Sequence, residues 1–378
     1  MQKLALLAVV IGVALCSESN FKLKYDDIIS GRLYLNAADG ESRLREMYDD
    51  FLATFRLEDE DLKRFVGTQS RFEIFKESVA QVQAHNRDPT QTWTMGINQF
   101  SDMTWEEFKK YNNLEKPQEC NALHREPLPM NRQELEDMQR HHKHWGWDWN
   151  QIRKVPAVKN QGSCGSCWTF STAGAMESHI AIKYGFSFPK IPLFSEQQLV
   201  DCAGGFNNNG CYGGLPSQAF EYIHWSGGLT TAKQYPYQAK DGNCTFDKKD
   251  AVAGVWGGSF NLTEGDDHEL TWAIWKIGPA SVGYQVVDDF RHYERGVYQS
   301  KTCNNTSSDI NHAVLATGFG EYDGTPFYNI KNSWGTEWGD LGYFKMLRGP
   351  VNMCGILVCN SFPQDVFLHR RPRESDLF

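Results

Sequence analysis

The chain has 378 residues, of which 40% are hydrophobic and 22% are charged. This is an ordinary globular composition, and 12 Trp and 23 Phe residues exclude wholesale disorder. The formal net charge of −9, without a long basic run, argues against nucleic-acid binding. The length predicts two or three folding units, and no heptad array or longer repeat is visible.

The N-terminus has the pattern of a secretory signal peptide. Lys3 supplies positive charge, the run 4–15 is apolar, and the small residues Ala14 and Cys16 predict cleavage after Cys16. The alternative, a membrane anchor, would need about 20 apolar residues, and this run is shorter. We therefore expect a soluble protein with no membrane contact that enters the secretory route, where disulfides can form.

The cysteine count predicts one thiol with a separate role. Cys16 leaves with the signal peptide, and the nine cysteines that remain cannot all pair within the chain. An unpaired thiol can be an inert leftover, an intermolecular bridge or a nucleophile. Cys164 and Cys167 have the spacing of a zinc or redox pair, but Cys202 and Cys211 are poorly spaced as a second ligand pair. We expect no metal and no cofactor.

Cys167 is predicted to lie at the start of a helix that stops at Gly185. Residues recur at helical spacing after it, at Phe170, Ala173, Ile180 and Tyr184. A helix N-terminus favours an anion, because its dipole and free N–H groups stabilise negative charge. The pattern therefore predicts a lowered thiol pKa and a reactive Cys167.

The segment 161–168, Gln-Gly-Ser-Cys-Gly-Ser-Cys-Trp, resembles the signature of the papain family of cysteine proteases. In that family a His and an Asn follow the nucleophile by roughly 130–150 residues. Here His312, in Asn-His-Ala, lies 145 residues after Cys167, and Asn332, in Lys-Asn-Ser-Trp-Gly, lies 165 residues after it. His312 precedes a β-rich run, 313–320, and Asn332 follows a second strand pattern, 326–331.

The resemblance implies a role for each of these residues. Cys167 would be the nucleophile, paired with His312 as thiolate and imidazolium, and Asn332 would orient the imidazole. Trp334 would shield the His–Asn bond from water. Gln161 would donate a hydrogen bond to the oxyanion beside the backbone N–H of Cys167, and one such donor is typically worth about 10²–10³ in rate. The expected reaction is hydrolysis of peptide bonds through an acyl-enzyme.

The same resemblance implies an α+β fold in which a helical lobe and a β-barrel-like lobe enclose a substrate cleft. The Gly-rich turn after Cys211 would form part of its floor, where substrate backbone can approach closely. The residues expected to bind substrate are Gly213, Gly214, Leu215, Pro216, Ala313, Trp334 and Cys359. The expected segments are a signal peptide (1–16), a helical inhibitory propeptide (17–146), the helical lobe (147–255), the β-rich lobe (256–366) and a polar tail (367–378).

Eight cysteines remain for disulfides once Cys16 and Cys167 are set aside, and the sequence by itself leaves their pairing open. The resemblance implies three bridges, Cys164–Cys211, Cys202–Cys244 and Cys303–Cys354. Cys120 and Cys359 are then left as a candidate fourth pair.

Two patterns before the catalytic unit resemble the family's propeptide. Arg71, Phe75, Val82 and Asn86 match most of a helix signature, from which Gly67 and Ser78 depart, and the segment 96–102, Gly-Ile-Asn-Gln-Phe-Ser-Asp, matches a second. The implied role is to assist folding and to inhibit the enzyme by running through the cleft. Carboxylates such as Asp102 are expected to loosen this contact as the pH falls.

The segment 116–123, Lys-Pro-Gln-Glu-Cys-Asn-Ala-Leu, resembles the mini-chain of the family's aminopeptidases at four of eight positions. That peptide is cut from the propeptide, stays attached by a disulfide, and meets the substrate's free amino group with a carboxylate. A bridge from Cys120 to Cys359, at the floor of the specificity pocket, would place it there. We expect an aminopeptidase with residual endopeptidase activity. The alternatives are an unrestricted endopeptidase and a non-catalytic binding or storage protein on the same scaffold.

Two triplets, at Asn261 and Asn304, are expected to carry glycans, whereas Asn243 is disfavoured because Cys244 should be bridged. Glycans and acidic composition suit a lysosome, and secretion is equally compatible. The expected partners are peptide and protein substrates, the chain's own propeptide and cystatin-type inhibitors. We expect a monomer.

Overall fold

The structure, a computed structural model, describes residues 20–33, 40–55, 70–114, 128–141 and 146–370. The predicted signal peptide, the segment 116–123 and most of the predicted tail lie outside these ranges. We call the described residues up to 141 the N-terminal region and residues 146–370 the C-terminal region. The elements of the N-terminal region are α1 (Asp26–Ile29), α2 (Gly40–Phe55), α3 (Arg71–Asn86), β1 (Trp93–Met95), α4 (Trp105–Asn112) and α5 (Arg132–His141).

The C-terminal region combines helices with a large sheet, which confirms the predicted α+β class. Its helices are α6 (Cys167–Tyr184), α7 (Glu196–Cys202), α8 (Pro216–Ser226) and α9 (Asp267–Lys276). Its strands are β2 (Trp147–Asp148), β3 (Ala253–Val255), β4 (Ser259–Asn261), β5 (Ala280–Tyr284), β6 (Tyr293–Tyr298), β7 (His312–Tyr322), β8 (Thr325–Lys331), β9 (Tyr343–Leu347), β10 (Asn360–Pro363) and β11 (Val366–Leu368).

Helix α6 forms where the sequence predicts it. It begins at Cys167 and ends at Tyr184, and Gly185 follows in the left-handed conformation with φ 79°. The helix is buried along most of its length, because it packs on β7 as well as on α7 and α8. This surrounding contact explains why the helix is buried on nearly every side, polar residues such as Glu177 and His179 included.

The main sheet has the strand order β1-β6-β9-β8-β7-β5-β10-β4, and β2 pairs with β7 outside this path. Both predicted strand runs form, as β7 and β8, and a two-residue turn at Asp323 and Gly324 joins them. Both turn residues have positive φ, 49° and 77°, as a tight hairpin requires. The hairpin places the start of β7 near the end of β8.

The chain of the C-terminal region crosses between the helical lobe (147–255) and the β-rich lobe (256–366) that the sequence predicts. Strand β2, near its beginning, pairs with β7, and β11, near its end, pairs with β3. The main apolar core therefore runs through helices and sheet together.

The N-terminal region adds a strand to the sheet of the C-terminal region. Strand β1 pairs antiparallel with β6, and Trp93 lies opposite Gly296. The Trp93 ring packs edge-on against Tyr298, with 4.9 Å between ring centroids. The pairing fixes how the N-terminal region lies on the sheet.

The two propeptide signatures contact each other. Arg71, in α3, forms two hydrogen bonds of 2.7 Å with the carboxylate of Glu107 and donates to the carbonyl of Asp102 at 2.8 Å. Glu107 also closes a capping box with Thr104 at the start of α4. One half-buried ion pair thus joins the helix signature to α4, which follows β1.

Residues 20–33, for which the sequence offered no account, pack against α3. Phe21, Tyr25, Ile28 and Ile29 are buried there. Three side chains of α3 and its C-terminus donate to carbonyls of this segment: Gln83 to Ile28 and Leu33, Asn86 to Ile29, and Arg87 to Gly31. The segment is therefore an integral layer of the N-terminal region.

Within the described ranges, no helix is long and apolar enough to cross a membrane. The same ranges contain no cluster of three or more His, Cys, Asp or Glu side chains that could hold a metal ion.

Candidate active site

Cys167 is held at the first residue of α6 by a cross-linked loop. The Cys164–Cys211 disulfide, with an S–S distance of 2.02 Å, joins the segment before the helix to the Gly-rich turn. The backbone N–H of Gly165 donates to the carbonyl of Cys211 at 2.9 Å. These bonds fix the position of the thiol.

His312 and Asn332 meet through one hydrogen bond. His312 opens β7, Asn332 follows β8, and the distance from His312 Nε2 to Asn332 Oδ1 is 2.9 Å. Because an amide oxygen accepts, Nε2 carries the hydrogen in this arrangement. The other ring nitrogen, Nδ1, has no hydrogen-bond partner among the described residues and is therefore the nitrogen available for proton transfer.

Trp334 stacks on the imidazole of His312. Their ring centroids are 4.9 Å apart and the interplanar angle is 29°. Trp334, His312 and Asn332 are all buried, so the His312–Asn332 bond lies away from water. A hydrogen bond in such surroundings is electrostatically stronger than one in solvent.

Cys167 and His312 line one cavity of about 20 Å³. Six of the seven residues predicted to bind substrate line it as well, namely Gly213, Gly214, Leu215, Pro216, Ala313 and Cys359. The seventh, Trp334, lies behind His312. A side chain at Gly214 would collide with Asn208 Oδ1 and the Trp168 ring, at 2.4 and 2.7 Å, so the close packing of this wall requires glycine.

Gln161 is fully buried, and its side chain bonds to the segment before Cys167 and to the segment after Asn332. Its Nε2 donates to the carbonyl of Cys164 at 3.0 Å, and its Oε1 accepts from the hydroxyl of Ser333 at 2.6 Å. An amide nitrogen carries two hydrogens, so this geometry uses one of the two.

Burial favours the neutral forms of Cys167 and His312 in this form of the protein. It raises the pKa of the Cys167 thiol to about 11, although backbone N–H groups, that of Ala313 foremost, act in the opposite direction. Burial also lowers the pKa of His312 to about 4, against the effect of the bond to Asn332. Desolvation therefore outweighs the helix N-terminus that was expected to favour a thiolate.

Asn113, which the sequence analysis did not single out, lines the same cavity. It follows α4 in the left-handed conformation, with φ 52°, and its Nδ2 donates to the carbonyl of Cys211 at 2.9 Å. A side chain at Gly165 would meet this Nδ2 at 2.4 Å. Asn is favoured in left-handed positions after helices, which was the available signal. The N-terminal region thus reaches the cavity that Cys167 lines.

The N-terminal region also covers Trp334. The rings of Phe100 and Phe108 meet it edge-on, with centroid distances of 5.9 and 5.3 Å. Gln99 Nε2 donates to its carbonyl at 2.8 Å. These contacts bury the indole whose other face lies on His312.

The remaining cysteines fall into two groups. Cys202–Cys244 and Cys303–Cys354 are bonded, with S–S distances of 2.11 and 2.06 Å, and Cys167 is the free cysteine of the described residues. Cys359 is disulfide-bonded, and no other cysteine in the described ranges is its partner. Its predicted partner, Cys120, lies outside those ranges.

The predicted glycan sites differ in exposure. Asn304 lies on the surface, where its Nδ2 donates to Asp309 at 3.1 Å. Asn261 is half-buried in β4, and its side-chain oxygen accepts from Ser259 at 2.8 Å.

Comparison with known proteins identifies the class. Residues 145–364 match the model of the papain family cysteine protease, and residues 48–108 match the cathepsin propeptide inhibitor domain. The chain belongs to the papain family of cysteine proteases. It is a cysteine peptidase made as a zymogen, with its own propeptide as inhibitor.

Among relatives, the chain is 49% identical to pro-cathepsin H of Medicago truncatula over 78% of this chain and 79% of that protein. It is 44% identical to pro-cathepsin H of Bos taurus, over 78% and 83% of the two chains. It is also 47% identical to the thiol protease aleurain-like of Arabidopsis thaliana, over 78% and 77%.

A solved precursor has the same fold. The digestive procathepsin L2 proteinase from the larval midgut of Tenebrio molitor superimposes with a TM-score of 0.72 at 34% identity. The match covers 85% of this chain and 99% of that chain, so it includes propeptide and catalytic unit together.

Proposed function

We propose that the enzyme cleaves peptide bonds through Cys167, His312 and Asn332. The thiolate of Cys167 attacks the scissile carbonyl, and His312 Nδ1 delivers a proton to the departing amine. Water then hydrolyses the acyl-enzyme, while Gln161 and the backbone N–H of Cys167 donate to the oxyanion. The 2.9 Å bond between His312 and Asn332, at a cavity shared with Cys167, supports this assignment.

The active form requires the N-terminal region to leave the cleft. Asn113 lines the cavity, and the burial around Cys167 and His312 favours their uncharged forms. Water that enters the cleft removes this desolvation penalty. Thiolate and imidazolium can then stabilise each other as a charged pair.

We further propose that the mature enzyme acts mainly as an aminopeptidase. The observation that carries this proposal is that Cys359 is disulfide-bonded and lines the cavity of Cys167. A bridge to Cys120 would tether residues 116–123 at this cavity. After processing, the carboxylate at the end of that peptide would face the substrate's free ammonium group, which an N-acetylated substrate lacks.

The test compares one peptide with a free and an acetylated N-terminus. The wild-type enzyme should prefer the free amine by about tenfold or more in kcat/KM, as one charge-assisted contact allows. The double variant Cys120→Ser/Cys359→Ser should lose this preference and cleave the acetylated peptide faster. The control Cys202→Ser/Cys244→Ser removes a bridge that does not line the cavity and should keep the preference.

Equal hydrolysis of both peptides by the wild-type enzyme would contradict the aminopeptidase proposal and favour an unrestricted endopeptidase. Absence of any hydrolysis by the processed protein would favour a non-catalytic binding protein. Mass spectrometry of the processed enzyme gives an independent check, because the proposed product is the catalytic unit that begins near residue 147, with 116–123 still attached.

We also propose a lysosomal or extracellular setting, with glycans at Asn304 and Asn261. The exposure of Asn304 supports modification there, whereas Asn261 would need its strand edge to be accessible before folding is complete. We also propose that cystatin-type proteins inhibit the enzyme and that the enzyme is a monomer.

A further inference from the structure

His292 lies where the N-terminal region contacts the C-terminal region, and it has no part in the chemistry proposed above. It is the last residue of a short 3₁₀ helix, Asp288–His292, that leads into β6, and its side chain is 0% exposed. Ser101 Oγ lies 3.5 Å from its Nδ1, and the backbone N–H of Gly96 donates to its carbonyl at 2.8 Å. Both contacts come from the segment that follows β1.

The surroundings of His292 fit a neutral imidazole. Its Nε2 has no hydrogen-bond partner among the described residues, and the group nearest Nδ1 is a serine hydroxyl, which can donate or accept. A neutral ring needs one donor and one acceptor nitrogen, whereas a protonated ring has two donors. Protonation would therefore bury an unpaired N–H and a positive charge.

The charged groups around His292 do not offset such a charge. Burial and the adjacent positive charge of Arg291 hold the pKa of His292 well below its usual range. Arg291 is itself buried and donates to the carbonyl of Met103. The nearby carboxylates interact with other groups. Three form ion pairs: Asp288 with Arg291 at 3.2 Å, Glu294 with Lys22 at 3.7 Å and Glu107 with Arg71 at 2.7 Å. Asp102 accepts a hydrogen bond from Tyr48 at 3.5 Å, and the negative charge of Glu77 stabilises the charged form of Arg291.

We propose that His292 is an acid sensor whose protonation separates the N-terminal region from the catalytic unit. Once residues 96–103 leave, water can reach the side of the ring that Ser101 covered. The imidazole can then accept a proton as an exposed histidine does. In the latent form, burial keeps the imidazole of His292 neutral. The released form therefore binds one more proton at this residue than the latent form does.

The direction of the effect follows from linkage. Because the pKa of His292 is lower in the latent form than in the released form, release becomes more favourable as the pH falls below about 6.5. Two pH units below that value, one proton shifts the release equilibrium by up to about 100-fold. An ordinary carboxylic acid takes up its proton at a lower pH than an ordinary imidazole does, so a histidine responds first as the pH falls.

The test measures how fast a thiol-reactive epoxide labels Cys167 in the full-length proenzyme between about pH 7 and pH 4.5. Each rate is divided by the rate for the mature enzyme at the same pH, which removes the intrinsic pH dependence of the thiol. The wild-type ratio should rise steeply on acidification. In His292→Gln and His292→Met, which cannot take up this proton, the rise should be smaller by about tenfold to 100-fold.

His179→Gln is the matched control, because His179 is a buried histidine of α6 that contacts Pro279 rather than the N-terminal region. It should leave the pH profile unchanged, and the mature His292 variants should keep wild-type activity. The proposal is overturned if both His292 variants follow the wild-type profile. It is equally overturned if both label fast at neutral pH, since His292 would then act by packing alone.

The inference uses the proposed nucleophile as a reporter, and the two can fail separately. If mature wild-type enzyme is not labelled at Cys167, the proposed function fails. The acid response can then be followed by amide hydrogen exchange in β1, which should lose protection near pH 5 in the wild type and keep it in the His292 variants.

Discussion

A single hydrogen bond decides which imidazole nitrogen of His312 is free for proton transfer. Asn332 Oδ1 accepts from Nε2 at 2.9 Å, and the stacked ring of Trp334 keeps water away from this bond. We therefore expect Asn332 to act on the reaction through the orientation of His312, without touching the substrate.

Replacing Asn332 with Ala should lower kcat by about 100-fold, because a misoriented imidazole no longer meets the leaving amine. KM should change little, because Asn332 does not line the substrate cavity. Asn329→Ala is the control, since Asn329 lies in β8, three residues before Asn332, and bonds to Asp148 at 2.9 Å. Steady-state kinetics on the processed enzymes would contradict this account if the two variants were equally active.

The sequence predicted the candidate catalytic residues but not everything that surrounds them. Cys167, His312 and Asn332 stand in recognisable local motifs, so their roles could be inferred before their positions were known. Asn113 and His292 carry no such motif, because their significance comes from a contact between distant segments. The raised pKa of Cys167 likewise results from burial in the folded protein, which cannot be predicted from the sequence pattern of a helix start.

At the scale of elements, residues 20–33 connect to the strand that binds the catalytic unit. Asn86 Nδ2 donates to Ile29 at 2.7 Å and to Met95 at 2.8 Å, and the N–H of Met95 donates back to Asn86 at 2.9 Å. One side chain thus joins the N-terminal segment to β1. Lys22 adds a direct ion pair of 3.7 Å with Glu294 in β6.

Deleting residues 20–33 should weaken latency, because β1 loses this support. We expect Cys167 in the truncated proenzyme to be labelled about tenfold faster or more at neutral pH, which corresponds to about 1.4 kcal/mol of lost stabilisation. Arg32→Ala removes an exposed ion pair with Asp26 inside the same segment and should behave as the wild type. Identical labelling rates for the deletion and the control would show that the segment does not support inhibition.

The sequence predicted those helices and strands whose signals lie within one short stretch of the chain. Helix α6 has helical spacing and a glycine stop, and β7 and β8 are β-rich runs around an Asp-Gly turn. The pairing of β1 with β6 joins residues about 200 positions apart, such as Trp93 and Gly296, and no window of the sequence contains both. The same limit applies to the packing of residues 20–33 on α3.

At the scale of the whole molecule, a buried charge network ties α6 to the segments around it. Lys159 Nζ lies 2.7 Å from Glu177 and 2.5 Å from Glu196, and Glu177 is completely buried. Burial alone would lower the pKa of Lys159, but the two carboxylates raise it above its ordinary value. Burial lowers the pKa of the neighbouring Lys331 to about 8, so Lys159 is the stronger counter-charge.

Lys159→Met should destabilise the protein by about 3 kcal/mol, because two buried carboxylates lose their main counter-charge. Urea unfolding of the proenzyme in a Cys167→Ser background, which prevents self-cleavage, measures the change. Lys249→Met, which removes an exposed pair with Asp247, should cost less than about 0.5 kcal/mol. Equal midpoints for the two variants would contradict a stabilising role for the network.

The most direct test of the central claim is site-specific labelling of the processed enzyme with a thiol-reactive epoxide. We predict one adduct per molecule, on Cys167, with peptidase activity falling in step with the labelled fraction. Complete inactivation without an adduct on Cys167, or full activity with Cys167 fully labelled, would contradict the assignment of this residue as the nucleophile.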